Sequence, residues 1–307
     1  MEFNYTLTEA GIRIDKAAEA KALVEIPEEL DGHPVTELGP YVLAESVVEE
    51  LRLPPGLVKI GAYAFYNCVN LKKIYCYSRV KDLGTGMFAG SRGAEFLDFS
   101  EVEGEKSYLK DMLTELRQTL RVRIHGTHEA RLIFPEYFEE SVENTPARIL
   151  VIETHGCGHR YRYCFDNREF QYRNYDALFP HVQVQESESL VTELALGRVL
   201  YPCGLTEANG AMYRAYIKEH WKTAAQLMID ADRLRDSVSN NLDSGLIPWF
   251  AEHYIESEDQ LQTLIDMAQK AGDTETVIWL MNERHERFCC EETSGRPAVR
   301  GKRRFEL

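Results

Sequence analysis

Two histidines and two cysteines lie within ten residues, at His155, Cys157, His159 and Cys164, and form the cluster that could do chemistry. Two imidazoles and two thiolates would suit a soft divalent metal such as zinc. However, the His-x-Cys-x-His spacing lacks the two-residue knuckle of an ordinary structural zinc site. A metal-dependent or thiol-dependent hydrolase centred on residues 155–164 is one hypothesis. The alternative is a glycine-containing hairpin whose second strand buries Cys164.

Basic and aromatic side chains alternate just beyond that cluster. Arg160-Tyr-Arg-Tyr163 is followed by Arg168, Tyr172 and Arg173, a composition that can stack on single-stranded nucleic acid. The tail over residues 289–307 adds further bases. The alternative is a β-ribbon with packed tyrosines and with arginines paired to acids. The 50 acidic against 35 basic residues, a net charge of -15, favour this alternative because they repel phosphate backbones.

Composition limits the class of protein. With 44% hydrophobic residues in 307, the chain can bury a sizeable core. It has no run of eighteen apolar residues, and its first sixteen residues lack the basic start and apolar stretch of a secretory signal. The seven cysteines are an odd number without framework spacing. We therefore expect a soluble, cytoplasmic protein with reduced thiols and no membrane contact.

The elements that position these residues begin with an internal repeat. Displaced by 23 positions, the segment that starts at Leu51 falls on the segment that starts at Ile74. Each unit has a short alternating strand, a turn and a second apolar cluster, so it can bury its inner face only against a stacked neighbour. This predicts a solenoid. Glycines recur where the backbone needs a positive φ or close packing, at Gly39, Gly61 and Gly84.

The second unit resembles a known repeat family. Leu51-Arg-Leu-Pro54, Ile60-Gly-Ala-Tyr-Ala-Phe65 and Asn67-Cys-Val-Asn-Leu71 are similar to the BspA-like (Treponema-type) leucine-rich repeat. Ile26-Pro27 with Leu38-Gly39 looks like the family's opening unit, and the resemblance covers about residues 20–100. It implies a binding protein without catalysis. Many members are exported adhesion proteins, whereas this chain lacks a signal.

The strand pleat predicts which side chains face outward. Residues between the inward Leu-x-Leu positions point away from the core and stack from unit to unit. We predict that these columns bind a protein partner through aromatic and arginine anchors. The alternative is a solvated sheet face with cross-strand charge pairs. One column contains Glu25, Arg52, Tyr75 and Asp98, and its neighbour contains Leu23, Glu50, Lys73 and Phe96.

A mixed segment follows the repeat. Apolar residues from Tyr108 to Leu120 fall at helical spacing and predict one helix that caps the solenoid. Four β-rich stretches come next and predict a small α+β connector. They are Arg121–Ile124, Ala130–Phe134, Ile149–Glu153 and Tyr161–Phe165.

From Ser187 the apolar period becomes helical. Thr206, Ser257 and Asp273 are predicted helix starts, and Ser257 with Gln260 is a capping-box candidate. The stretch from Met267 to Met281 resembles the helix-turn-helix body of an ankyrin-type repeat, with Gly272 at the turn. That resemblance implies another stacked interaction surface; a generic helical bundle is the alternative.

Together these patterns predict an α+β protein. Its expected parts are a leucine-rich-repeat domain at 1–103, a capping helix and α+β connector at 104–185, a helical domain at 186–288 and a disordered basic tail at 289–307. We predict a bacterial, non-catalytic scaffold that needs no cofactor. It would bind a protein partner through the strand face and the helical surface, rather than a membrane or a nucleic acid.

Overall fold

The structure is a computed structural model that describes residues 1–105, 107–144, 149–233, 242 and 245–289. These residues fall into two compact units. The first holds the described residues up to 224 together with 242, and the second holds 225–233 and 245–289. An N-terminal β-solenoid is followed by helices, so the chain has the mixed α+β class that the sequence predicts.

Short strands build the coils of the solenoid. In chain order they are β1 (Glu2–Thr8), β2 (Gly11–Ala18), β3 (Leu23–Glu25), β4 (Glu29–Leu30), β5 (His33–Leu38), β6 (Glu50–Arg52), β7 (Lys59–Ile60), β8 (Lys73–Tyr77), β9 (Asp82–Leu83) and β10 (Phe96–Ser100). The helix α1 (Leu109–Glu115) and the strands β11 (Leu120–His125) and β12 (Ala130–Phe134) follow.

Two sheets form the flanks of the coil. Sheet 1 has the order β12-β11-β10-β8-β6-β3, and sheet 2 has the order β1-β2-β5-β7-β9 with β4 paired to β5. The repeat strands pair in parallel within each sheet, as stacked coils require. The hairpin β1-β2 is not predicted by the repeat pattern. It joins sheet 2 through the parallel pair β2-β5.

The core between the sheets is built from the repeated positions. Phe65 and Phe88 stack with ring centroids 5.1 Å apart. A Cβ on Gly84 would lie 2.1 Å from the Ala62 nitrogen, and one on Gly61 would lie 2.5 Å from the Gly39 carbonyl carbon. Of the two predicted reasons for these glycines, close packing is the one that applies, because Gly39, Gly61 and Gly84 do not have positive φ.

Hydroxyl and thiol side chains tie successive coils together. The Cys68 thiol donates to the Leu43 carbonyl (3.0 Å), and one coil later the Ser91 hydroxyl donates to the Phe65 carbonyl (2.7 Å). Both side chains are buried. Buried polar groups need such partners, so cysteine in one coil and serine in the next make the equivalent hydrogen bond.

The end of the solenoid differs from the sequence prediction in two ways. The helix predicted between Tyr108 and Leu120 ends at Glu115, because Leu116 adopts an extended conformation and Leu120 begins β11. The predicted strands at Arg121–Ile124 and Ala130–Phe134 are confirmed. They extend sheet 1, since β11 pairs in parallel with β10 and β12 pairs antiparallel with β11.

The following segment contains a hairpin and a short helix. The strands β13 (Phe138–Asn144) and β14 (Ile149–His155) pair with each other, which confirms the strand predicted at Ile149–Glu153. The strand predicted at Tyr161–Phe165 is wrong: its first two residues are the end of α2 (Gly158–Arg162), and only Phe165 lies in a strand, the two-residue β15 (Phe165–Asp166), which pairs with β16 (Glu169–Phe170).

Arg162 explains why that stretch turns into the interior. Its guanidinium is fully buried and donates only to main-chain carbonyls, those of Leu113, Leu116, Gln118, Pro135 and Gly158. These carbonyls belong to α1, to the β11 and β12 junctions and to α2. Burial lowers the pKa of Arg162 to about 10, so the side chain stays charged at neutral pH.

Helices complete the first unit. They are α3 (Tyr172–Ala177), α4 (Phe179–Gln185), α5 (Glu188–Leu200), α6 (Glu207–Glu219) and the start of α7 (Trp221–Arg233). The Tyr175 hydroxyl donates to the Ile133 carbonyl (2.7 Å) and accepts from the Ile133 amide (3.0 Å). Helix α3 therefore covers the free edge of β12, which would otherwise present unpaired backbone groups.

A buried ion pair holds the helices of the first unit together. Arg198 in α5 forms two hydrogen bonds to Asp176 in α3 (2.8 and 3.1 Å), and both side chains are 0% exposed. Tyr213 in α6 donates to the same carboxylate (2.9 Å). Three helices thus share one satisfied polar centre.

The second unit contains the end of α7 together with α8 (Ile247–Tyr254), α9 (Glu258–Ala271) and α10 (Thr274–Arg284). The predicted caps are confirmed: Ser257 and Gln260 form a capping box, Asp273 caps α10, and Thr206 caps α6 in the first unit. Gly272 ends α9 with φ 78°. The predicted basic tail lies outside the described residues, except for Cys289 at its start.

Candidate partner-binding surface

The register of sheet 1 places the predicted outward residues in two columns. Glu25 pairs with Arg52, Arg52 with Tyr75, and Tyr75 with Asp98. In the neighbouring column the same ladders align Leu23, Glu50, Lys73 and Phe96. We call the outward side chains on β3, β6 and β8 the open strand face, which consists of Leu23, Glu25, Glu50, Arg52, Lys73 and Tyr75.

Arg52 and Tyr75 form the centre of the open strand face. The Arg52 guanidinium lies 4.4 Å from the centroid of the Tyr75 ring. Glu50 accepts two hydrogen bonds from Arg52 (2.8 and 2.6 Å) and lies 3.2 Å from the Lys73 ammonium. Arginine stacked on an aromatic ring is held in one geometry before a partner arrives, which reduces the entropy cost of binding.

The charges on this face influence one another. Burial alone would raise the pKa of Glu50, but hydrogen bonds from Arg52 and Lys73 lower it. The hydrogen bond to Glu50 raises the pKa of Arg52. Burial, followed by the charge of Glu50, raises the pKa of Tyr75. At neutral pH the face therefore carries charged Glu50 and Arg52 beside a neutral phenol.

A shallow groove of about 190 Å³ crosses sheet 1 at the carboxyl ends of the strands. One column member from each of four strands lines it, namely Glu25, Arg52, Tyr75 and Asp98. The residues two positions farther along, on the same side of the pleat, also line it. These are Pro27, Pro54, Tyr77 and Ser100, and Glu28 and Pro55 lie beside them.

Phe96 is a correction to the predicted surface. It occupies the expected outward position, but it is only 3% exposed. The Arg123 guanidinium lies 5.0 Å from the centroid of its ring, and the Tyr75 ring meets it edge-on at 6.3 Å. The neighbouring strands therefore enclose the ring, and Phe96 is not available to a partner.

Helix α5 covers the far end of the same sheet face. Arg121, which pairs with Phe96 in the ladder, forms two hydrogen bonds to Glu193 of α5 (2.7 and 2.8 Å). The Glu193 side chain is 3% exposed. A Cβ on Gly197 of α5 would lie 3.0 Å from the Arg131 carbonyl oxygen of β12. The end of the outward face formed by β11 and β12 is thus already an interface within the chain.

Sheet 2 presents a contrasting outward column. Its ladders align Arg13 with Glu37, Glu37 with Lys59 and Lys59 with Asp82, so charge alternates from strand to strand. Lys59 lies 2.7 Å from Asp82 and Arg13 lies 2.7 Å from Asp15. This column fits the description of a solvated face with paired charges. The open strand face differs because it contains Tyr75 and borders a groove lined by Tyr77 and by prolines.

The cysteine and histidine cluster is separated into different environments. The His155 ring stacks on Phe138, and the His159 ring packs between Tyr137 and Tyr163. The Cys157 thiol donates to Glu186 (3.3 Å). Over the described residues, no three or more His, Cys, Asp or Glu side chains are grouped so that they could hold a metal ion.

The environments of the two thiols of the cluster also disfavour the thiolate form. Burial, followed by the hydrogen bond to Glu186, raises the pKa of Cys157 to about 12. Burial, followed by the charge of Asp176, raises the pKa of Cys164 to about 12. A catalytic cysteine needs the opposite shift, because the thiolate is the reactive form.

The alternating basic and aromatic run does not form a continuous surface. Tyr161 and Arg162 are buried at 1% and 0% exposure, whereas Tyr163 is 50% exposed. The Arg168 guanidinium lies 3.9 Å from the centroid of Tyr108. The interior positions of Tyr161 and Arg162 remove them from any stacking platform for single-stranded nucleic acid.

Sequence reasoning missed the other residues that line the groove, among them Tyr77, Pro54 and Glu28. Tyr77 and Pro54 lie two positions beyond Tyr75 and Arg52, so extending the same alternation by one step would have found them. Glu28 lies in the link between Pro27 and β4 and follows no alternation. Within the part of the chain that is described, none of the helices is both long and apolar enough to cross a membrane.

Comparison with known proteins matches the repeat region. The family model of the BspA type leucine-rich repeat region, in six copies, matches residues 26–109. No curated protein matches the chain. The crystal structure of a leucine-rich repeat protein of T. pallidum is similar over 31% of this chain and 68% of that chain, with 21% sequence identity and a TM-score of 0.23. The ankyrin-type resemblance of residues 267–281 has no counterpart among these matches.

Proposed function

We propose that this chain is a non-catalytic scaffold that binds a protein partner through the open strand face. The repeat region supports this, because leucine-rich repeats commonly mediate protein binding. The observation that carries the proposal is the coincidence of the groove with the stacked Arg52 and Tyr75. Arginine and tyrosine are enriched among the residues that dominate binding energy at interfaces.

A contact within the chain on the same side of sheet 1 gives the proposal independent support. Glu193 of α5 binds Arg121 across the ladder from Phe96, so this side of sheet 1 is suited to contact with another segment. The open strand face continues that surface toward β3.

A second contact surface is proposed on α10, where Ile278 and Met281 lie three residues apart and are 57% and 47% exposed.

Affinity capture with matched variants tests the proposal. Full-length protein carrying Arg52→Glu with Tyr75→Ala is compared with protein carrying Lys59→Glu with Tyr41→Ala. The two double variants change the net charge equally and each remove one ring. Lys59 is on sheet 2, and Tyr41 is 54% exposed on a coil.

We expect a lysate protein, quantified by mass spectrometry, that is retained by the wild type and by the control variant and lost from the Arg52→Glu/Tyr75→Ala variant. Equal retention by both variants would contradict binding at the open strand face. Circular dichroism of each variant confirms that it is folded.

A further inference from the structure

The groove carries more negative than positive charge, and we propose that its occupant is an extended peptide segment bearing two lysine or arginine side chains. This inference rests on the proposed function and names the chemistry of the partner. The groove and the open strand face together contain the acids Glu25, Glu28, Glu50 and Asp98 against the bases Arg52 and Lys73.

Two of these acids form no close ion pair, although the charge of Glu25 also acts on Arg52, its neighbour in the ladder. Glu25 and Glu28 are exposed, and neither carboxylate has an ion-pair partner among the residues that the structure describes. Glu50, in contrast, already binds both Arg52 and Lys73. The β3 end of the groove therefore has two carboxylates that a cation from a partner can reach without displacing an internal one.

The walls of the groove suit the stem of a long basic side chain. Pro27 and Pro55 provide apolar, rigid surface beside the buried Pro54, and Tyr77 provides a half-buried ring. The methylene groups of lysine and arginine pack on such surfaces while the charged end remains near water. A tyrosine face also attracts the cation itself.

The length of the groove sets the spacing of the two basic residues. It crosses four strands from β3 to β10, which at about 4.8 Å between strands is about 14 Å. An extended chain rises about 3.3 Å per residue, so about four residues separate the two ends. Asp98 lies at the far end, where the His125 ring nitrogen is 3.0 Å from its carboxylate. Basic residues four positions apart would reach Glu25 with Glu28 and Asp98 at once, and the second cation would share the Asp98 carboxylate with His125.

Fluorescence anisotropy with three labelled probes tests this. The first probe is Gly-Lys-Ser-Ala-Ser-Lys-Gly, with lysines four positions apart. The second is Gly-Ser-Lys-Lys-Ala-Ser-Gly, which has the same composition with adjacent lysines. The third replaces both lysines of the first by glutamate. We expect the first probe to bind about fivefold more tightly than the second, and the third not to bind.

Matched variants of the full chain locate the site. Glu25→Gln with Glu28→Gln should weaken binding of the first probe about tenfold, and raising the salt concentration from about 50 to 300 mM should weaken it further. Glu37→Gln with Asp82→Asn removes the same charge from sheet 2 and should leave the affinity unchanged. Equal losses in the two variants, equal binding of the three probes, or no binding of the first probe at millimolar concentration would each overturn the inference.

The capture experiment separates this inference from the proposed function. If a captured partner depends on Arg52 and Tyr75 while the lysine probes fail, the cationic occupant is wrong and the binding face stands. If the probes bind and no captured protein depends on Arg52 and Tyr75, the groove recognises cations and the scaffold function is contradicted.

Discussion

Phe65 and Phe88 stack in the core of the solenoid with ring centroids 5.1 Å apart and ring planes 22° apart. They are 23 positions apart in the sequence and are 0% and 2% exposed. The ring of one coil thus packs directly against the ring of the next. The stacked pair therefore fixes the spacing that aligns the outward columns of sheet 1.

Replacing Phe65 with alanine should strongly destabilise the protein. We expect Phe65→Ala to lower the free energy of unfolding by about 3–5 kcal/mol, because it leaves a cavity between two coils. Urea unfolding followed by circular dichroism measures this. Tyr66→Ala, next to it but 38% exposed, is the control and should cost no more than about 1 kcal/mol. Equal losses would show that the Phe65 ring does not support the stack.

A methyl group added at the glycine column should also be disruptive. In Gly84→Ala the new Cβ would lie 2.1 Å from the Ala62 nitrogen and 2.3 Å from the Gly61 carbonyl carbon. Because backbone atoms cannot move aside cheaply, we expect the free energy of unfolding to fall by about 1–3 kcal/mol or more. A lowered midpoint of thermal unfolding would show this loss. Gly56→Ala meets one backbone oxygen at 3.6 Å and should be nearly neutral. A neutral Gly84→Ala would contradict the close approach of the coils.

The buried pair of Asp176 and Arg198 should respond asymmetrically to mutation. Arg198→Met alone should lower the free energy of unfolding by about 3–5 kcal/mol, because it leaves the Asp176 charge buried without its partner. Adding Asp176→Leu should recover much of the loss, since no buried charge then remains. Chemical denaturation of the two variants measures this.

An exposed ion pair provides the control for the two variants of the buried pair. Asp82→Asn breaks the contact of Asp82 with Lys59, whose side chains are 59% and 48% exposed, and should cost less than about 1 kcal/mol. A double variant of the buried pair that is no more stable than Arg198→Met would show that the penalty does not arise from an uncompensated charge.

The Cys157 thiol should be unreactive in the folded protein. Burial, followed by the hydrogen bond to Glu186, raises its pKa from 9.0 to about 12. At neutral pH its thiolate fraction should therefore be about a thousandfold below that of a free thiol. Iodoacetamide labelling with peptide mass spectrometry should show slow modification of Cys157 in the native protein and rapid modification in urea.

The sign of the pH dependence follows from the same shift. A group whose folded-state pKa is raised stabilises the fold fully below its unfolded pKa and loses that contribution as pH rises through the folded value. The contribution of Cys157 should thus be constant below about pH 8 and decline between pH 9 and 12. Fast labelling of native Cys157 at pH 7 would contradict the raised pKa of its thiol and would favour a thiol-dependent hydrolase.

The columns of sheet 1 could be predicted because they depend on local regularities. A period of 23 residues sets the neighbours of each strand, and the pleat then sets which side chains of Leu51-Arg52-Leu53 face outward. The caps at Thr206, Ser257 and Asp273 were predictable for the same reason, since capping acts over three residues.

Other features could not be predicted because their causes are distant in the sequence. Phe96 is buried by Arg123, 27 positions away, and Arg162 is drawn inward by carbonyls up to 49 positions away. The hairpin β1-β2 joins sheet 2 by pairing and does not carry the repeat motif. The pairing of Asp176 with Arg198 likewise depends on how two helices pack.

Site-specific photocrosslinking tests the central claim most directly. A photoreactive phenylalanine analogue replaces Tyr75 on the open strand face in one variant and Tyr41, outside that face, in the other. We predict that irradiation in lysate joins the Tyr75 variant to one protein partner and gives no such adduct from the Tyr41 variant. The same adduct in equal yield from both positions, or from Tyr41 alone, would contradict binding through the open strand face.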